Sequence, residues 1–489
     1  MTAADTQVVI PALVAAMVGP PLAAAALMQV GLSRQSPRLP AAAALSTAFV
    51  AGNLIAWRWT VGDGVACELG DRLGGGSFLH VDGISAVLLP FAALVMLAIV
   101  LVAPKRFLDA PAAIRILGSA AAVFALFATA HPLVIVALWI ATALPTWIVT
   151  RGTPGGRPAA RVFAMAMLVA LVSVAVGTVL MLVDPPWEGH CGVVGAAGGW
   201  LVAIAVLVRE GIVPFHSWYP ALYSGAPVSM ALAATVPQVG AYTAVRLLIG
   251  HADHGDGVAQ ELVVLSQLAL VTAVYGAAIA VVQRDLRGLI GTLAMSQSAL
   301  VLAGLAGKLP MELNGAFCVW ISSGLTLTGI ALVAWALESR AGPLSLESPR
   351  GRFRDSPTLA ALFLLFGLAS LGLPGTLSFV ADDLIVSGSL DEQLHSGLMV
   401  IGSTVLSAIA VLRGWFTIFG GPAAVDGPRH STLFRERLAL LALLVPSFVF
   451  GIVPGPLVRS LERAAGQLLG VEATIVPYET TRETPAEAR

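Results

Sequence analysis

The sequence has little charge and few cysteines. Only 11% of its 489 residues are charged, which is about half the share found in soluble domains, and a net charge of −1 excludes a polybasic surface for nucleic acid. The three cysteines, Cys67, Cys191 and Cys318, form no CxxC pair, so neither a disulfide framework nor an iron–sulfur or zinc site is predicted. The sequence also lacks a nucleotide-binding loop and a nucleophile triad. We therefore expect no catalytic residue, cofactor or metal in this chain.

Apolar residues are abundant instead. They make up 57% of the chain, and the mean hydropathy is +0.88. A membrane-spanning helix needs about 20 mostly apolar residues, and the first apolar run has no basic segment before it, so it reads as a span rather than a signal peptide. The polar tail from about residue 470 is expected outside the bilayer. The prediction is an all-α integral membrane protein with about fourteen spans, near residues 8–32, 40–57, 81–103, 112–130, 132–150, 162–183, 195–214, 226–249, 261–282, 288–306, 313–338, 357–380, 396–419 and 438–458.

The basic residues between these spans predict the orientation. The even-numbered loops contain only Arg58, Arg72 and Lys308, whereas the odd-numbered loops contain the great majority of the loop arginines. Because cytoplasmic loops carry an excess of Lys and Arg, the odd-numbered loops are predicted to be cytoplasmic. Both termini then lie on the non-cytoplasmic side, in what we expect to be a prokaryotic inner membrane.

One predicted span is interrupted within VREGIVPFHSWYPALYSGAPVS, residues 208–229. Arg209 and Glu210 end an apolar run, and His216 and three prolines follow. Proline removes a backbone donor, and unpaired backbone groups at membrane depth need protein or water as partners. The segment therefore indicates a broken helix, either lining an ion path or forming a re-entrant loop. His216 titrates near neutral pH and either connects a path to water or braces the loop.

A second break is predicted at GLASLGLPGTLSFVADDL, residues 367–384, where Pro374 interrupts the twelfth span and Asp382 and Asp383 follow. Two broken segments in separate parts of a chain are typical of inverted repeats with a binding path between them. Ionisable groups inside spans are costly and are functional candidates by default. Arg246 and Arg413 lie near predicted span ends and are interpreted as interfacial anchors.

The segment HADHGDG, residues 251–257, has a composition that suits a metal. Its spacing fits no standard site, and we interpret it as a polar turn.

The ordered set of segments resembles the antiporter-like proton-channel subunits of respiratory complex I, the family of its chains M, N and L shared with Mrp-type cation/proton antiporters. REGIVPFHSWYPALYSGAPVS resembles the family signature KxPxxPxHxWLPDAxxxAPT on a broken seventh helix, and PQVGAYTAVRLL resembles LKxGxYxLLR. VQRDLRGLIGTLAMSQSAL is similar to QxDLKRLxAYSSISHxG, and HVDGISAVLLP contains the early xDGxS motif. GLASLGLPGTLSFVADDLIV is similar to ASLGLPGTxxFxxE, the form typical of chain M.

This resemblance implies a chain of ionisable groups for protons, and here most of its positions are changed. The acid on the twelfth helix is retained as Asp382 or Asp383. Arginine cannot release its proton in proteins, and the only lysines of the chain, Lys105 and Lys308, are assigned to loops. The proton path is therefore predicted to be altered and impaired, or else to work in an unconventional way. The replaced positions are Ile140 on the fifth helix, Arg209 on the seventh, Gln238 on the eighth, and Gln297 and Ser323 on following helices.

The resemblance also predicts an organisation and a setting. Residues 1–110 would form helices 1–3, residues 111–250 and 251–420 the two antiporter-like repeats, and residues 421–489 helix 14 with the tail. The leading hypothesis is a membrane subunit of a complex I-like ion-translocating assembly, with other membrane and peripheral subunits as partners and the redox chemistry in those partners. The alternatives are the membrane component of a two-subunit uptake system for inorganic carbon or another substrate, energised by protons, and a non-conducting scaffold.

Overall fold

The computed structural model describes residues 3–31, 36–61, 67–70, 76–185, 192–249, 260–307, 310–422 and 431–469. The regular secondary structure within these ranges is α-helical, apart from a 3₁₀ turn at Lys105–Phe107 and an antiparallel hairpin of β1 (Cys67–Leu69) and β2 (Leu79–Val81). The α-helices are α1 (Ala3–Gln29), α2 (Arg38–Val61), α3 (Gly83–Val102), α4 (Ala110–Phe127), α5 (Pro132–Gly152), α6 (Arg157–Val183), α7 (Val193–Glu210), α8 (Trp218–Gly225), α9 (Val228–Thr235), α10 (Val239–Leu247), α11 (Gln260–Val282), α12 (Leu286–Leu305), α13 (Pro310–Ala341), α14 (Pro357–Ser370), α15 (Leu377–Glu392), α16 (Leu394–Phe419), α17 (Phe434–Ile452) and α18 (Gly455–Leu469).

The predicted all-α membrane architecture is confirmed. Among the described residues, 12 helical segments are long and apolar enough to cross a membrane, and α9 with α10 counts as one of them. The pair α14 and α15 and the helix α17 complete a set of about fourteen spans. The helix starts follow the sequence locally, since three of them are capped by an aspartate carboxylate that accepts from a backbone N–H of the first turn; these are Asp82, Asp109 and Asp285.

Helix α13 lies at the centre of the molecule. It runs unbroken for 32 residues and packs against α3, α12, α14, α15, α17 and α18. Its side chains are buried from Glu312 to Glu338, so it has no face left for lipid. A helix that is apolar on every side is expected to be buried in this way.

The seventh span is broken as predicted. Helix α7 ends at Glu210 and is capped by Gly211, which has a left-handed φ of 70°, and α8 starts at Trp218 after the proline-containing turn. The freed backbone groups find protein partners, as membrane depth requires. The indole of Trp218 donates to the Val208 carbonyl at 2.8 Å, and the Val213 N–H donates to the Thr272 hydroxyl of α11 at 3.0 Å.

The twelfth span is also broken as predicted, and the break is shaped by glycine. Helix α14 ends at Ser370 and α15 starts at Leu377, with Gly372 and Gly375 at φ values of 73° and 90° between them. Residues with a Cβ rarely adopt such angles. The turn brings the chain against Gly451 of α17, where a Cβ would lie 2.4 Å from the Gly375 carbonyl oxygen.

The eighth span contains a break that was not predicted. Gln238 has a φ of 46° and separates α9 from α10, so the N-terminus of α10 lies inside the protein rather than at a membrane surface. The residue before it is Pro237, and proline within a helical segment commonly ends the helix.

A last helix, α18, was not predicted either. It follows α17 after a bend of 83° and buries Leu457, Leu461 and Ala464 against α3 and α13. Its charged side chains, Arg459 among them, lie on the exposed face. This two-sided pattern is typical of a helix that lies along a membrane interface.

Candidate functional site

Two side chains of opposite charge, Arg209 and Glu210, lie at the C-terminal end of α7 and contact different neighbouring helices. Arg209 is only 4% exposed. Its guanidinium donates to the Thr142 hydroxyl at 3.0 Å and to the Met167 sulfur at 3.0 Å, and it lies 5.5 Å from the ring centre of Trp139. No carboxylate of the described residues forms an ion pair with it. The partners of this buried cation are therefore neutral groups of α5 and α6.

Glu210, the next residue, is held by three donors on the opposite wall. Its Oε1 accepts from the backbone N–H groups of Gly240 at 2.7 Å and Ala241 at 3.1 Å, and its Oε2 accepts from the Ser298 hydroxyl at 2.7 Å. The two amides belong to the first turn of α10, where the helix dipole favours a negative charge. The carboxylate thus joins α7 to α10 and α12. The unpredicted break at Gln238 is what exposes these amides.

Three residues singled out from the sequence, Gln238, Gln297 and Ser323, line one small polar cavity. Its volume is 10 Å³, close to the minimum of about 10–15 Å³ that one water needs. The Oε1 atom of Gln238 is buried there without a hydrogen-bond partner among the described residues. Ser298 connects the cavity to Glu210. The full lining is Tyr219, Tyr223, Thr235, Val236, Gln238, Ala294, Gln297, Ser298, Ser323, Gly324 and Leu327.

The other predicted site residues lie away from this cavity. His216 packs edge-on against Tyr275 at 5.1 Å between ring centres, and its Nε2 lies 3.4 Å from the tyrosine hydroxyl, so the loop contacts α11 through this side chain. Asp382 on α15 is partly buried; a Cβ on Gly372 would lie 2.8 Å from its Oδ2, and no described group forms a hydrogen bond or ion pair with it. Asp383 is exposed.

The structure corrects the role given to Ile140. Its side chain is 47% exposed on the outer face of α5, so it does not face Arg209. The residues of α5 that meet Arg209 are Trp139 and Thr142. Neighbouring residues of a helix point about 100° apart. An error of one position in matching a motif therefore moves the assigned side chain from the buried side of a helix to its exposed face.

Arg246 is not the interfacial anchor that its position predicted. It is 7% exposed and forms a two-pronged ion pair with Asp82, at 2.7 and 2.9 Å. Its Nε donates to the Tyr242 hydroxyl at 2.9 Å. His80 of β2 lies 3.5 Å from the same carboxylate. Although burial alone would raise it, Arg246 and His80 hold the pKa of Asp82 well below its ordinary value. This pair joins α10 to the start of α3, 164 residues away in sequence.

Other arginines also bind within the protein. Arg413, the second predicted anchor, donates to the carbonyls of Val281 and Gln283 at 2.7 and 2.9 Å, which closes the C-terminal end of α11. Arg287 pairs with Glu338 at 2.7 Å and donates to the carbonyl of Ala226 at 3.2 Å, in the break between α8 and α9. Sequence spacing carries no signal for such long-range pairs.

Among the described residues, no group of three His, Cys, Asp or Glu side chains is placed to hold a metal ion. The segment 251–257 lies outside the described residues.

Comparison with known proteins assigns the fold to a family. Residues 161–409, just over half of the chain, match the family described as NADH:quinone oxidoreductase/Mrp antiporter, transmembrane. The NAD(P)H-quinone oxidoreductase chain 4 of Acaryochloris marina is 29% identical over 303 residues, which is 59% of this chain and 56% of that protein. NADH-quinone oxidoreductase subunit M of Mycobacterium tuberculosis is 25% identical over 269 residues, or 54% of this chain and 48% of that one. The match spans about half the length of these curated relatives.

Solved structures share the architecture over almost the whole chain. A chain of respiratory complex I from Thermus thermophilus with bound NADH aligns with a TM-score of 0.83 at 23% identity, covering 94% of this chain and 99% of that chain. A chain of the Mrp complex from Dietzia sp. DQ12-45-1b aligns with a TM-score of 0.82 at 19% identity, covering 94% and 97%. At these identities the likeness concerns the fold alone. The protein is an integral membrane protein and belongs to the NADH:quinone oxidoreductase/Mrp antiporter transmembrane family.

Proposed function

We propose that the chain is a membrane subunit of an ion-translocating assembly like those to which its relatives belong, and that its own proton path is altered and impaired. In this proposal it sits in a prokaryotic inner membrane with both termini on the non-cytoplasmic side. The matches to quinone oxidoreductase chains and the shared fold with complex I and Mrp chains support the setting. The redox chemistry would belong to partner subunits.

The main support for an altered proton path is the composition of the central cavity. Gln238, Gln297 and Ser323 meet there, and their side chains have no charge state to change in the physiological range. They can orient a water molecule but cannot store a proton. A proton relay needs groups that bind and release protons in turn, so these three positions lack the titratable side chains that the resemblance implies.

In this proposal the charged residues beside the cavity do not replace those titratable side chains. Arg209 keeps its proton, and its partners Thr142 and Met167 are neutral. Glu210 is bound by Gly240, Ala241 and Ser298, three donors that hold its carboxylate in place. Together Arg209 and Glu210 place groups of opposite sign, each fixed in position by its own partners, on opposite sides of α7.

Fixed charges suit a role in electrostatic and mechanical coupling. Helix α10 is the common element: it binds Glu210 through its first turn, it binds Trp139 of α5 through the Thr243 hydroxyl at 2.8 Å, and it binds Asp82 through Arg246. A shift of α10 would therefore displace its partners both beside the central cavity and at the hairpin that contains His80. We infer that the chain passes such shifts between neighbouring subunits.

The test is proton transport by the purified assembly in liposomes with an internal pH-sensitive dye. Asp382→Asn removes the retained acid, and Asp383→Asn is the matched control because that side chain is exposed. We expect neither variant to change the protons moved per turnover by more than the error of the assay. A fall with Asp382→Asn alone would show a working path and refute the impaired one.

The partners that co-purify with the chain separate the three functional hypotheses. Redox subunits would support the proposed assembly, whereas a single soluble partner with a zinc site would support the uptake system. The third hypothesis is tested by combining Arg209→Ala with Asp382→Asn. If the assembly keeps both its activity and its coupling to proton transport, only the scaffold hypothesis remains.

A further inference from the structure

A large apolar cleft lies where α2, α3, α17 and α18 meet beside α13, and Phe91 on its wall separates it from Gly324 of the central cavity. Its volume is 370 Å³, within the range of about 300–1,000 Å³ that is typical of ligand pockets. Apolar side chains form almost all of its walls; they include Phe49, Ala56, Phe91, Leu325, Phe450 and Leu457. Residues on both sides of the bend between α17 and α18, Phe450 and Pro456, also line the cleft.

The cleft faces the bilayer. Val445 and Val449 of α17 line it and are also exposed on the outer surface of the helix bundle. A cleft between spanning helices with an apolar lateral opening is accessible to hydrocarbon chains rather than to water. An empty cleft would also forfeit the contacts of its lining atoms.

Two residues that line this cleft each carry a buried polar atom without a partner among the described residues. Trp59 and Ser460 both line it and are each 6% exposed. The Nε1 of Trp59 and the hydroxyl of Ser460 form no hydrogen bond with the described residues. An indole N–H can only donate, and a buried donor without an acceptor destabilises the protein. The occupant that these atoms require carries an acceptor oxygen.

The position of the two atoms indicates where that oxygen sits. Trp59 lies in the last turn of α2, at the level where tryptophans meet the membrane interface. Ser460 lies on α18, where the exposed Arg463 and Arg459 are about 60° and about 100° from it around the helix axis, whereas Glu462 lies on the far side. The ester carbonyls of a phospholipid lie just below its phosphate, so a lipid chain in the cleft would bring a carbonyl to Trp59 and a phosphate towards the arginines.

We propose that the cleft binds one membrane phospholipid, with an acyl chain along the apolar walls and an ester carbonyl that accepts from Trp59 and Ser460. The exposed arginines of α18 contact its phosphate. The bound lipid thereby fixes α18 to α2 and α3, next to the start of α3 where Asp82 holds Arg246. None of the proposed lipid contacts is a residue of the predicted proton path, so the proposal stands whether or not the chain conducts.

The test is native mass spectrometry of the purified full chain in detergent, after removal of loosely bound lipid and titration with phosphatidylglycerol. Trp59→Phe removes the N–H donor and keeps an aromatic ring against Gly83. Trp57→Phe is the matched control, because Trp57 lies two residues away on the exposed face of α2 and does not line the cleft. Ala56→Phe fills the cleft. Circular dichroism and gel filtration check that each variant is folded.

We expect the wild type to retain one phosphatidylglycerol. Trp59→Phe should weaken its binding about three- to tenfold, as expected for one lost hydrogen bond, Ala56→Phe should abolish it, and Trp57→Phe should leave it unchanged. Equal losses with Trp57→Phe and Trp59→Phe, or no retained lipid in the wild type, would overturn the proposal. So would displacement of the lipid by an equimolar isoprenoid quinone, which also has carbonyl acceptors on an apolar chain.

Discussion

Replacing Glu210 tests whether a buried carboxylate holds the centre of the protein together. In Glu210→Ala the amides of Gly240 and Ala241 and the hydroxyl of Ser298 lose their acceptor. Hydrogen bonds to charged groups contribute about 1.5–3 kcal/mol each, and a buried donor left without a partner costs about 1–3 kcal/mol. Because the three losses are not additive, we expect the free energy of unfolding to fall by at least about 3 kcal/mol.

The conservative variant separates geometry from charge. In Glu210→Gln the amide oxygen can still accept from both backbone donors, and the amide N–H can donate to the Ser298 oxygen. What is lost is the interaction of a full charge with the α10 dipole, about 1 kcal/mol. Glu347→Gln, the same change on an exposed loop, is the matched control and should remain within about 0.5 kcal/mol of the wild type.

Reversible unfolding by sodium dodecyl sulfate in mixed micelles, followed by tryptophan fluorescence, measures these differences. The expected order of stability is wild type and Glu347→Gln together, then Glu210→Gln, then Glu210→Ala. If Glu210→Ala is as stable as the wild type, the carboxylate does not join α7 to α10 and α12, and the reasoning on fixed charges fails with it.

The same titration checks three further predictions. Arg209→Met removes a buried cation whose hydrogen-bond partners are neutral, and it should leave the free energy of unfolding unchanged or raise it by up to about 2 kcal/mol. Arg246→Met removes the arginine partner of Asp82 and should lower the free energy of unfolding by about 3–5 kcal/mol. Similar losses in the two variants would contradict the assigned partners. Gly240→Ala places a Cβ 2.7 Å from the Glu210 Oε1 atom and should destabilise by about 1–3 kcal/mol through the displaced carboxylate. Because Arg246 and His80 hold the pKa of Asp82 well below its ordinary value, the contribution of Asp82 to wild-type stability is present above pH of about 4 and is lost only as pH falls through the lower folded value. In Arg246→Met the arginine no longer opposes the burial that raises this pKa, so the deficit of the variant should be larger at pH 8 than at pH 5; a deficit that grows as pH falls to 5 would contradict this pairing.

The spans and the two predicted breaks were readable from sequence because their signals are local. A run of apolar residues predicts a span wherever it occurs, and Pro374 with its neighbouring glycines marks a turn without knowledge of the rest of the fold. The break at Gln238 has a local signal too, since Pro237 precedes it, but the mainly apolar residues around it match those of a continuous span. Helix α18 has apolar residues spaced for one helix face, which a search for uniformly apolar segments does not detect.

The partners of the charged residues could not be read in this way. Asp82 and Arg246 are close only because α3 and α10 are brought together by tertiary packing, and the direction of Arg209 depends on the rotation of α5. The structure does bring Gln238, Gln297 and Ser323 to one cavity, but their place in a proton path stays a prediction. The division into repeats at residues 111–250 and 251–420 likewise stays a prediction.

The length of α13 has a consequence for how the molecule can move. At about 1.5 Å per residue, its 32 residues extend for about 48 Å, while the hydrocarbon layer is about 30 Å thick. Near one end the Asn314 amide donates to the Val458 carbonyl of α18 at 3.3 Å, and near the other Glu338 holds Arg287. A helix without a hinge tilts or slides only as a whole, so displacement at one water-facing surface must also displace the opposite one.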